Sequence, residues 1–242
     1  MRIALISDIH ANDLALRAVL DDIRAVGADQ TVCLGDVATL GAQPTVALRL
    51  IREAGCVCIM GNHDEFLLRP TLVETYSKIP LIVASIDWCR RQLSPDDLNF
   101  VRTFQPFYEI PLAAGSNLFL FHGSPRSNTE DLLATSPPDD LDAMLAGHMA
   151  TVLAGGHTHV QMLRQHKGML VVNAGSVGQP FREYKAGQQP ELMPHAEYAV
   201  VQELRGVLSV ELRRVPLERG ALRDSVSAVE HPLREWLVRQ YE

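Results

Sequence analysis

Short apolar runs, each followed directly by Asp, His or Asn, alternate with helical patterns over the first 60 residues. Three such runs, which we predict to be buried strands, cover residues 2–7, 31–34 and 56–60. The intervening segments have helical periodicity, with one helix starting at Asn12 or Asp13 and the next at Pro44. This alternation predicts a βαβαβ unit with a mainly parallel sheet.

The remaining chain combines helices with antiparallel patterns. Further strands are predicted at 117–121 and 152–154, with a helix at 137–146 between them. Hairpins are predicted around Lys167-Gly168 and Arg205-Gly206, separated by a Gly- and Pro-rich loop at 177–194. The pattern predicts a single domain over residues 1–242 with mixed sheets. It includes a helical insert at about 65–105 and a helical C-terminal extension at about 218–242, whose last helix starts at Pro232.

Polar side chains follow five predicted strands. These residues are Asp8 and His10, Asp36, Asn62 and His63, His122, and His157 and His159. Ligands of α/β folds bind outside the carboxyl ends of strands, so these residues are expected to form one site. Glycines precede Asp36, Asn62 and His157, and we expect them to let the backbone turn sharply there.

The residue types at these strand ends suit divalent metals. Nitrogen and oxygen ligands without thiolate favour Mn, Fe, Ni or Zn. Seven ligands exceed the need of one tetrahedral ion, and they suit two ions about 3.5–4 Å apart that share a carboxylate and a water. The other histidines lack such settings, and we interpret them as ordinary surface or helix-end residues: His148, His166, His195 and His231.

Composition excludes several function classes. The chain has 22 basic and 29 acidic residues, a net charge of −7, which disfavours stable nucleic-acid binding. No apolar run approaches the roughly 18–20 residues of a membrane span, so no membrane association is expected. The four cysteines match no zinc or redox spacing and are expected to be free thiols in a cytoplasmic protein.

These strand-end motifs resemble the calcineurin-like metallophosphoesterase superfamily, whose pattern is D-x-H, G-D, G-N-H-D/E, H and G-H-x-H. The matching stretches here are SDIH, GD, GNHD, HG and GGHTH, between Ser7 and His159. The stretch NAGSVGQP at 173–180 is similar to one in the small bacterial phosphodiesterase branch. The resemblance implies an α/β fold, a four-layer α/β/β/α sandwich with two mixed β-sheets, and a site at their shared edge.

The resemblance also implies a role for each matching residue. It assigns Asp8, His10 and His159 to a first metal ion and Asn62, His122 and His157 to a second, with Asp36 bridging both. His63 matches the histidine that contacts the scissile phosphate and serves as the acid or charge stabiliser. The implied cofactors are two divalent ions, with Mn favoured for activity among Mn, Fe, Ni and Zn.

The implied reaction is hydrolysis of a small phosphate ester, with a nucleotide or other small phosphodiester favoured as substrate. A hydroxide that bridges the two ions attacks phosphorus in line, and His63 donates a proton to the leaving oxygen. The alternatives are a phosphomonoesterase, a protein phosphatase or a non-catalytic metal-binding scaffold. Protein phosphatases of this superfamily carry G-D-x-V-D-R-G, whereas residues 35–41 here read GDVATLG and lack the second Asp and the Arg.

Substrate contacts and partners are less constrained by the motifs. Asn12, Arg126 and Arg182 are candidates for binding phosphate oxygens, although Asn12 also suits a helix cap. Tyr184 is a candidate for stacking on a nucleobase. Asp64 is a candidate either for orienting His63 or for capping the helix that follows. We expect the insert to overhang the site and limit which substrates enter. The acidic C-terminal helix offers a surface for packing against a second subunit.

Overall fold

A computed structural model describes residues 1–242, apart from the side chain of Ala114. The strands are β1 (Arg2–Ile6), β2 (Gln30–Cys33), β3 (Val57–Cys58), β4 (Tyr108–Pro111), β5 (Asn117–Leu120), β6 (Val152–Gly155), β7 (Met162–His166), β8 (Met169–Asn173), β9 (His195–Leu204) and β10 (Val207–Pro216). The helices are α1 (Asp13–Val26), α2 (Pro44–Glu53), α3 (Asn62–Leu68), α4 (Val73–Tyr76), α5 (Pro80–Gln92), α6 (Pro95–Val101), α7 (Pro138–Leu145), α8 (Arg219–Ser227) and α9 (Arg234–Gln240).

The strands form two mixed five-stranded sheets. The first has the order β10-β9-β1-β2-β3 and the second β4-β5-β6-β8-β7. Strands β1, β2 and β3 are parallel, as are β5, β6 and β8, whereas the remaining strands pair antiparallel to their neighbours. The predicted βαβαβ unit and both predicted hairpins are therefore confirmed.

Alternation of side chains along β1 explains the layers. Ile3 and Leu5 face the second sheet and pack with residues such as Leu120, whereas Ala4 and Ile6 face α1 and α2. All four β1 residues have no exposed surface, which is why the strand reads as a continuous apolar run. On the outer face of the second sheet, α7 packs on β5, β6 and β8. The α/β/β/α sandwich with two mixed sheets is thus confirmed.

Helix α1 begins and ends where the sequence predicts. The Asn12 side chain accepts a hydrogen bond from the Ala15 amide at 3.1 Å, and Gly27 ends the helix in a left-handed conformation with φ of 73°. The buried face carries Leu16, Val19 and Ile23 at helical spacing. These local signals fix the segment that follows β1, and hence the turn that presents Asp8 and His10.

A separate apolar cluster joins the inserted helices α3–α5 to the C-terminal helices. Phe66, Ile86, Leu222 and Leu237 are buried in it. Buried His231, just before α9, contributes a polar contact, since its Nε2 lies 2.9 Å from the Ser85 hydroxyl of α5. The C-terminal segment is thereby tied to the insert.

Three elements differ from the prediction. β3 has only two residues, although the Ile59 amide still donates to the Cys33 carbonyl at 2.8 Å, and Ile59 also forms a bridge with Gln105. β4 lies in a segment for which no strand is predicted, and it is held by antiparallel pairing with β5. The last helix begins at Arg234 rather than at Pro232.

Two simpler expectations concern thiols and membrane spans. Each cysteine is a free thiol, and Cys33 and Cys58 are paired neighbours on parallel strands. Within the part of the chain that the structure describes, no helix is both long enough and apolar enough to cross a bilayer.

The His231 contact predicts a pH-dependent stability. Burial lowers the pKa of His231 to about 4. Its Nδ1 accepts the Leu233 amide at 3.2 Å, and its ring also faces Trp88 and the Cys89 thiol. Below about pH 6.5 the unfolded chain therefore binds a proton that the folded chain does not, so this contribution to stability falls as the pH falls toward 4.

We expect His231→Asn, whose amide oxygen can still accept the Leu233 amide, to remove this contribution. Between pH 7 and 5.5 the wild type should lose about 1 kcal/mol more unfolding free energy than the variant. Urea unfolding of both chains with a chelator present measures the difference. Parallel pH profiles for the two proteins would contradict the assignment.

Candidate metal centre

The eight residues predicted at strand ends lie together at one edge of the two sheets. They follow β1, β2 and β3 of the first sheet and β5 and β6 of the second, whose carboxyl ends meet there. All are buried, and the most exposed of them, His157, retains 8% of its surface. The structure thus brings side chains from separate segments together at one place.

The first group consists of Asp8, His10 and His159. The two imidazole Nε2 atoms are 3.0 Å apart, and Asp8 Oδ1 lies 3.3 Å from His159 Nε2 and 3.9 Å from His10 Nε2. One ligand atom from each residue falls within 4.8 Å of the others. This convergence of a carboxylate oxygen and two ring nitrogens could hold a divalent ion.

The second group consists of Asn62, His122 and His157, with Asp36 between the groups. His122 Nε2 is 3.0 Å from Asn62 Oδ1, and ligand atoms of Asp36, His122 and His157 lie within 4.8 Å of one another. Asp36 Oδ2 is 3.4 Å from His122 Nε2 and 4.0 Å from His10 Nε2. Asp36 Oδ2 thus faces both groups, as a bridging ligand must, and Asp8 Oδ1 also lies 4.0 Å from His122 Nε2.

Several buried polar atoms at this edge lack a hydrogen-bond partner among the described residues. Asp8 Oδ1, Asn62 Nδ2 and His63 Nδ1 are among them. A buried carboxylate oxygen without a donor is costly, because its lost hydration is not replaced. A cation beside Asp8 Oδ1 would replace it, so the donor set and its unpartnered oxygen fit a divalent metal.

Backbone amides position the two carboxylates. Asp8 Oδ2 accepts the His157 amide at 2.9 Å, and Asp36 Oδ1 accepts the His63 amide at 2.9 Å. Each carboxylate therefore binds a backbone amide of a neighbouring segment with one oxygen, while its other oxygen faces the cluster. Asp8 joins the two sheets in this way, and Asp36 joins β2 to the start of α3.

Asp64 completes this bracing. Its carboxylate accepts the amides of Asp36 at 2.7 Å, Val37 at 3.0 Å and Gly61 at 3.1 Å. The sequence left two roles open for Asp64, orientation of His63 and helix capping. These contacts are those of a residue that caps a helix and fixes a loop. Asp64 holds the backbone that carries Asp36.

The strand-end turns are conformationally costly. Left-handed φ values occur at five candidate ligands: Asp8 (52°), His10 (46°), Asp36 (59°), His157 (69°) and His159 (57°). Residues other than glycine rarely adopt this backbone conformation, and it persists only where surrounding contacts enforce it. The expected role of the glycines is partly different. Gly35 has a positive φ, whereas at Gly61 and Gly156 a Cβ would overlap Asp36 and Asp8 side-chain atoms.

Each imidazole is oriented by its second nitrogen. Nδ1 of His122 donates to the Leu34 carbonyl at 2.7 Å, and Nδ1 of His159 donates to the Gln179 carbonyl at 2.7 Å. These bonds direct Nε2 of both rings at the cluster. His157 differs, because its Nε2 lies 3.3 Å from a carboxylate oxygen of Asp131.

The two candidate ligand carboxylates are favoured as anions. Burial by itself would raise the pKa of Asp8, but His159 and His122 outweigh it and hold that pKa below its usual value. Burial opposes ionisation of Asp36 in the same way, and His122 and His63 overcome it and lower its pKa. The edge therefore buries two carboxylates that are favoured as anions, which favours capture of cations.

His63 lies beside the groups rather than within them. Its ring centroid is 5.1 Å from that of His10, and the Phe66 ring packs at 5.3 Å on another side. Burial lowers the pKa of His63 to about 4. Its Nδ1 has no hydrogen-bond partner in the described structure, so the ring is available to a bound molecule.

The residues predicted to contact substrate are engaged elsewhere in this structure. Asn12 caps α1 and also donates to the Gly178 carbonyl at 3.0 Å. Arg126 pairs with Glu130 at 3.0 Å, and Arg182 pairs with Glu191 at 2.6 Å. Both arginines are on the surface, and their role in substrate binding stays a prediction. The Tyr184 hydroxyl donates to Asp131.

Two residues near the centre were not predicted. Asp131 lies in an irregular segment after β5, where no strand-end pattern identifies it. Tyr76, at the end of α4, has ring centroids 6.3 Å from both His63 and His157 and is 45% exposed. Only the folded insert brings it over the centre, so spacing in the sequence carries no signal for it.

Comparison with known proteins agrees with this geometry. Residues 1–193 match the model of the calcineurin-like phosphoesterase superfamily domain. The uncharacterized protein MJ0912 of Methanocaldococcus jannaschii is 27% identical over 193 residues, which cover 74% of this chain and 76% of that protein.

Solved structures show the same fold over the whole chain. A metallophosphoesterase from Sphaerobacter thermophilus is 24% identical, with a TM-score of 0.74, and the match covers 100% of this chain and 98% of that one. The hypothetical protein PH1004 from Pyrococcus horikoshii OT3 is 18% identical, with a TM-score of 0.81 and coverage of 98% and 96%. With its strand-end ligand groups and the family match over four fifths of its length, this chain belongs to the calcineurin-like phosphoesterase superfamily, whose members use divalent metals.

Proposed function

We propose that this protein is a phosphodiesterase that hydrolyses a small phosphate diester with the aid of two divalent metal ions. The observation that carries the proposal is the position of Asp36 Oδ2, within 3.4 Å of His122 Nε2 and 4.0 Å of His10 Nε2, between two groups of buried ligands. One ion would be held by Asp8, His10 and His159, the other by Asn62, His122 and His157, and Asp36 would contact both.

Divalent ions bound there supply Lewis acidity and lower the pKa of water toward neutrality. The chain's own contribution is positional, because backbone amides and carbonyls fix the ligand side chains before any substrate arrives. The unpartnered ring of His63 is placed to donate a hydrogen bond to a phosphate or leaving-group oxygen. No nucleophilic side chain is needed in this scheme.

Charge also favours a small substrate. Two divalent ions add four positive charges, and Asp8 and Asp36 subtract two, so the loaded centre is about +2 within a chain of net charge −7. A phosphate ester is attracted to the centre itself, whereas the net charge of −7 disfavours binding of a long polyanion.

The protein phosphatase alternative has weaker support. The second Asp of the phosphatase pattern, which would partner the catalytic histidine, is replaced by Thr39, and Thr39 Oγ1 lies 3.4 Å from His10 Nδ1. Leu40 replaces the Arg and is buried in the apolar cluster with α5 and α9. A phosphomonoesterase remains the closest alternative, and relative rates on mono- and diesters distinguish it.

The bridging position of Asp36 predicts a loss of metal capacity. Asp36→Asn removes one charge and one bridging oxygen, so the variant should bind fewer than two Mn²⁺ ions tightly, while the wild type binds two. Calorimetric titration of chelator-stripped protein measures the stoichiometry. Asp140→Asn, an exposed change in the first turn of α7, is the matched control and should retain two ions. Full capacity in Asp36→Asn would rule out the bridging role.

The placement of His63 predicts a separate effect on catalysis. With Mn²⁺ bound, His63→Gln should lower kcat on bis-p-nitrophenyl phosphate by about 10²–10⁴-fold and leave metal stoichiometry unchanged. His148→Gln, which instead removes a ring in tilted contact with Phe119, should retain activity. Wild-type protein that binds two ions but turns over no mono- or diester would instead support the scaffold alternative.

The position of the Tyr76 ring beside His63 and His157 predicts an effect on substrate selection. We propose that its ring narrows the approach to the centre, so Tyr76→Ala should raise kcat/KM for thymidine 5′-p-nitrophenyl phosphate relative to methyl p-nitrophenyl phosphate, by about tenfold if roughly 1.4 kcal/mol of steric cost is relieved. Ile79→Ala truncates another exposed side chain of the insert and is the control. An unchanged ratio in Tyr76→Ala would show that the ring does not limit access.

A further inference from the structure

We propose that Asp131 is a positioning residue for His157, and that the Asp131–His157 contact sets the affinity of the second metal position. The inference rests on the proposed two-metal site and adds a residue that no motif includes. His157 Nε2 lies 3.3 Å from Asp131 Oδ1. The other carboxylate oxygen, Oδ2, accepts a hydrogen bond from the Tyr184 hydroxyl.

His157 is oriented differently from the other candidate histidine ligands. His122 and His159 donate Nδ1–H to backbone carbonyls, and His10 Nδ1 faces the Thr39 hydroxyl, so all three direct Nε2 at the centre. His157 has Nε2 on a carboxylate, which leaves Nδ1 as the nitrogen available to an ion. Only this imidazole of the four has a charged acceptor behind it among the described contacts.

A carboxylate behind a ligating imidazole has two effects. It fixes the ring and its tautomer, and it makes the ligating nitrogen more basic. Losing such a partner typically weakens metal binding by about 10–100-fold. Because the contact involves His157 alone, the loss should fall on the second position, while Asp8, His10 and His159 continue to hold the first.

Burial shows why a second residue is needed to hold the carboxylate. The His157 side chain is 4% exposed, whereas that of Asp131 is 39% exposed. A half-exposed carboxylate in an irregular segment would otherwise sample other orientations, and the Tyr184 hydroxyl restrains it. Tyr184 thereby has a structural link to the centre that does not involve substrate.

The test is a Mn²⁺ titration of chelator-stripped protein, followed by calorimetry and by competition with a fluorescent chelator. Asp131→Ala should weaken one of the two sites by about 10–100-fold and leave the other nearly unchanged. Asp131→Asn should recover part of the loss, since its amide oxygen can still face His157 Nε2 without the charge. Tyr184→Phe should weaken the same site less, and Glu183→Gln, a neighbouring exposed carboxylate paired with Lys185, should have no effect.

A double-mutant cycle separates positioning from any other role. In a His157→Ala background, Asp131→Ala should cause no further loss of affinity, because its effect acts through the missing ring. A further 10–100-fold loss in that background, equal weakening of both sites, or unchanged binding in Asp131→Ala would overturn the inference. If the wild type itself binds fewer than two ions, the proposed function fails as well. If it binds two and only the Asp131 results disagree, this inference fails alone.

Discussion

The structure depends on two buried carboxylates, each of which accepts a backbone amide with one oxygen and directs the other oxygen at the candidate metal centre. Asp8 accepts the His157 amide and Asp36 accepts the His63 amide, and both are almost without exposed surface. These bonds close the edge where the two sheets meet and enforce the left-handed turns that follow the strands. The same bonds direct the remaining oxygens inward, so the fold and the candidate metal centre share one set of interactions.

This arrangement has an energetic consequence for the metal-free chain. Two anions and several imidazoles converge where solvent is excluded, and Asp8 Oδ1 has no hydrogen-bond partner in the described structure. A cation would compensate this cost, so metal binding and folding stability should be coupled. The overall charge of −7 is therefore a poor guide to what the centre attracts, because it omits any ions that the candidate ligands would hold.

The sequence was sufficient to predict elements with strong local signals and the residues at their ends. The Gly27 cap, the hairpin at Lys167-Gly168 and the clustering of Asp8 with His159 all follow from local rules combined with sheet topology. β4 could not be predicted, because pairing with β5 rather than its own pattern makes it a strand. Asp131 and Tyr76 were missed for a related reason. Their positions depend on how irregular or inserted segments fold over the sheet edge that carries the centre. The spacing of residues in the sequence does not indicate that folding.

The most direct test of a two-metal centre bridged by Asp36 is anomalous diffraction from crystals of the chelator-stripped protein soaked in Mn²⁺. Two anomalous peaks are expected about 3.5–4 Å apart, with the Asp36 carboxylate between them and the ligand groups of Asp8 and His122 on either side. A single peak, or peaks at other surfaces while this edge holds no metal, would contradict it.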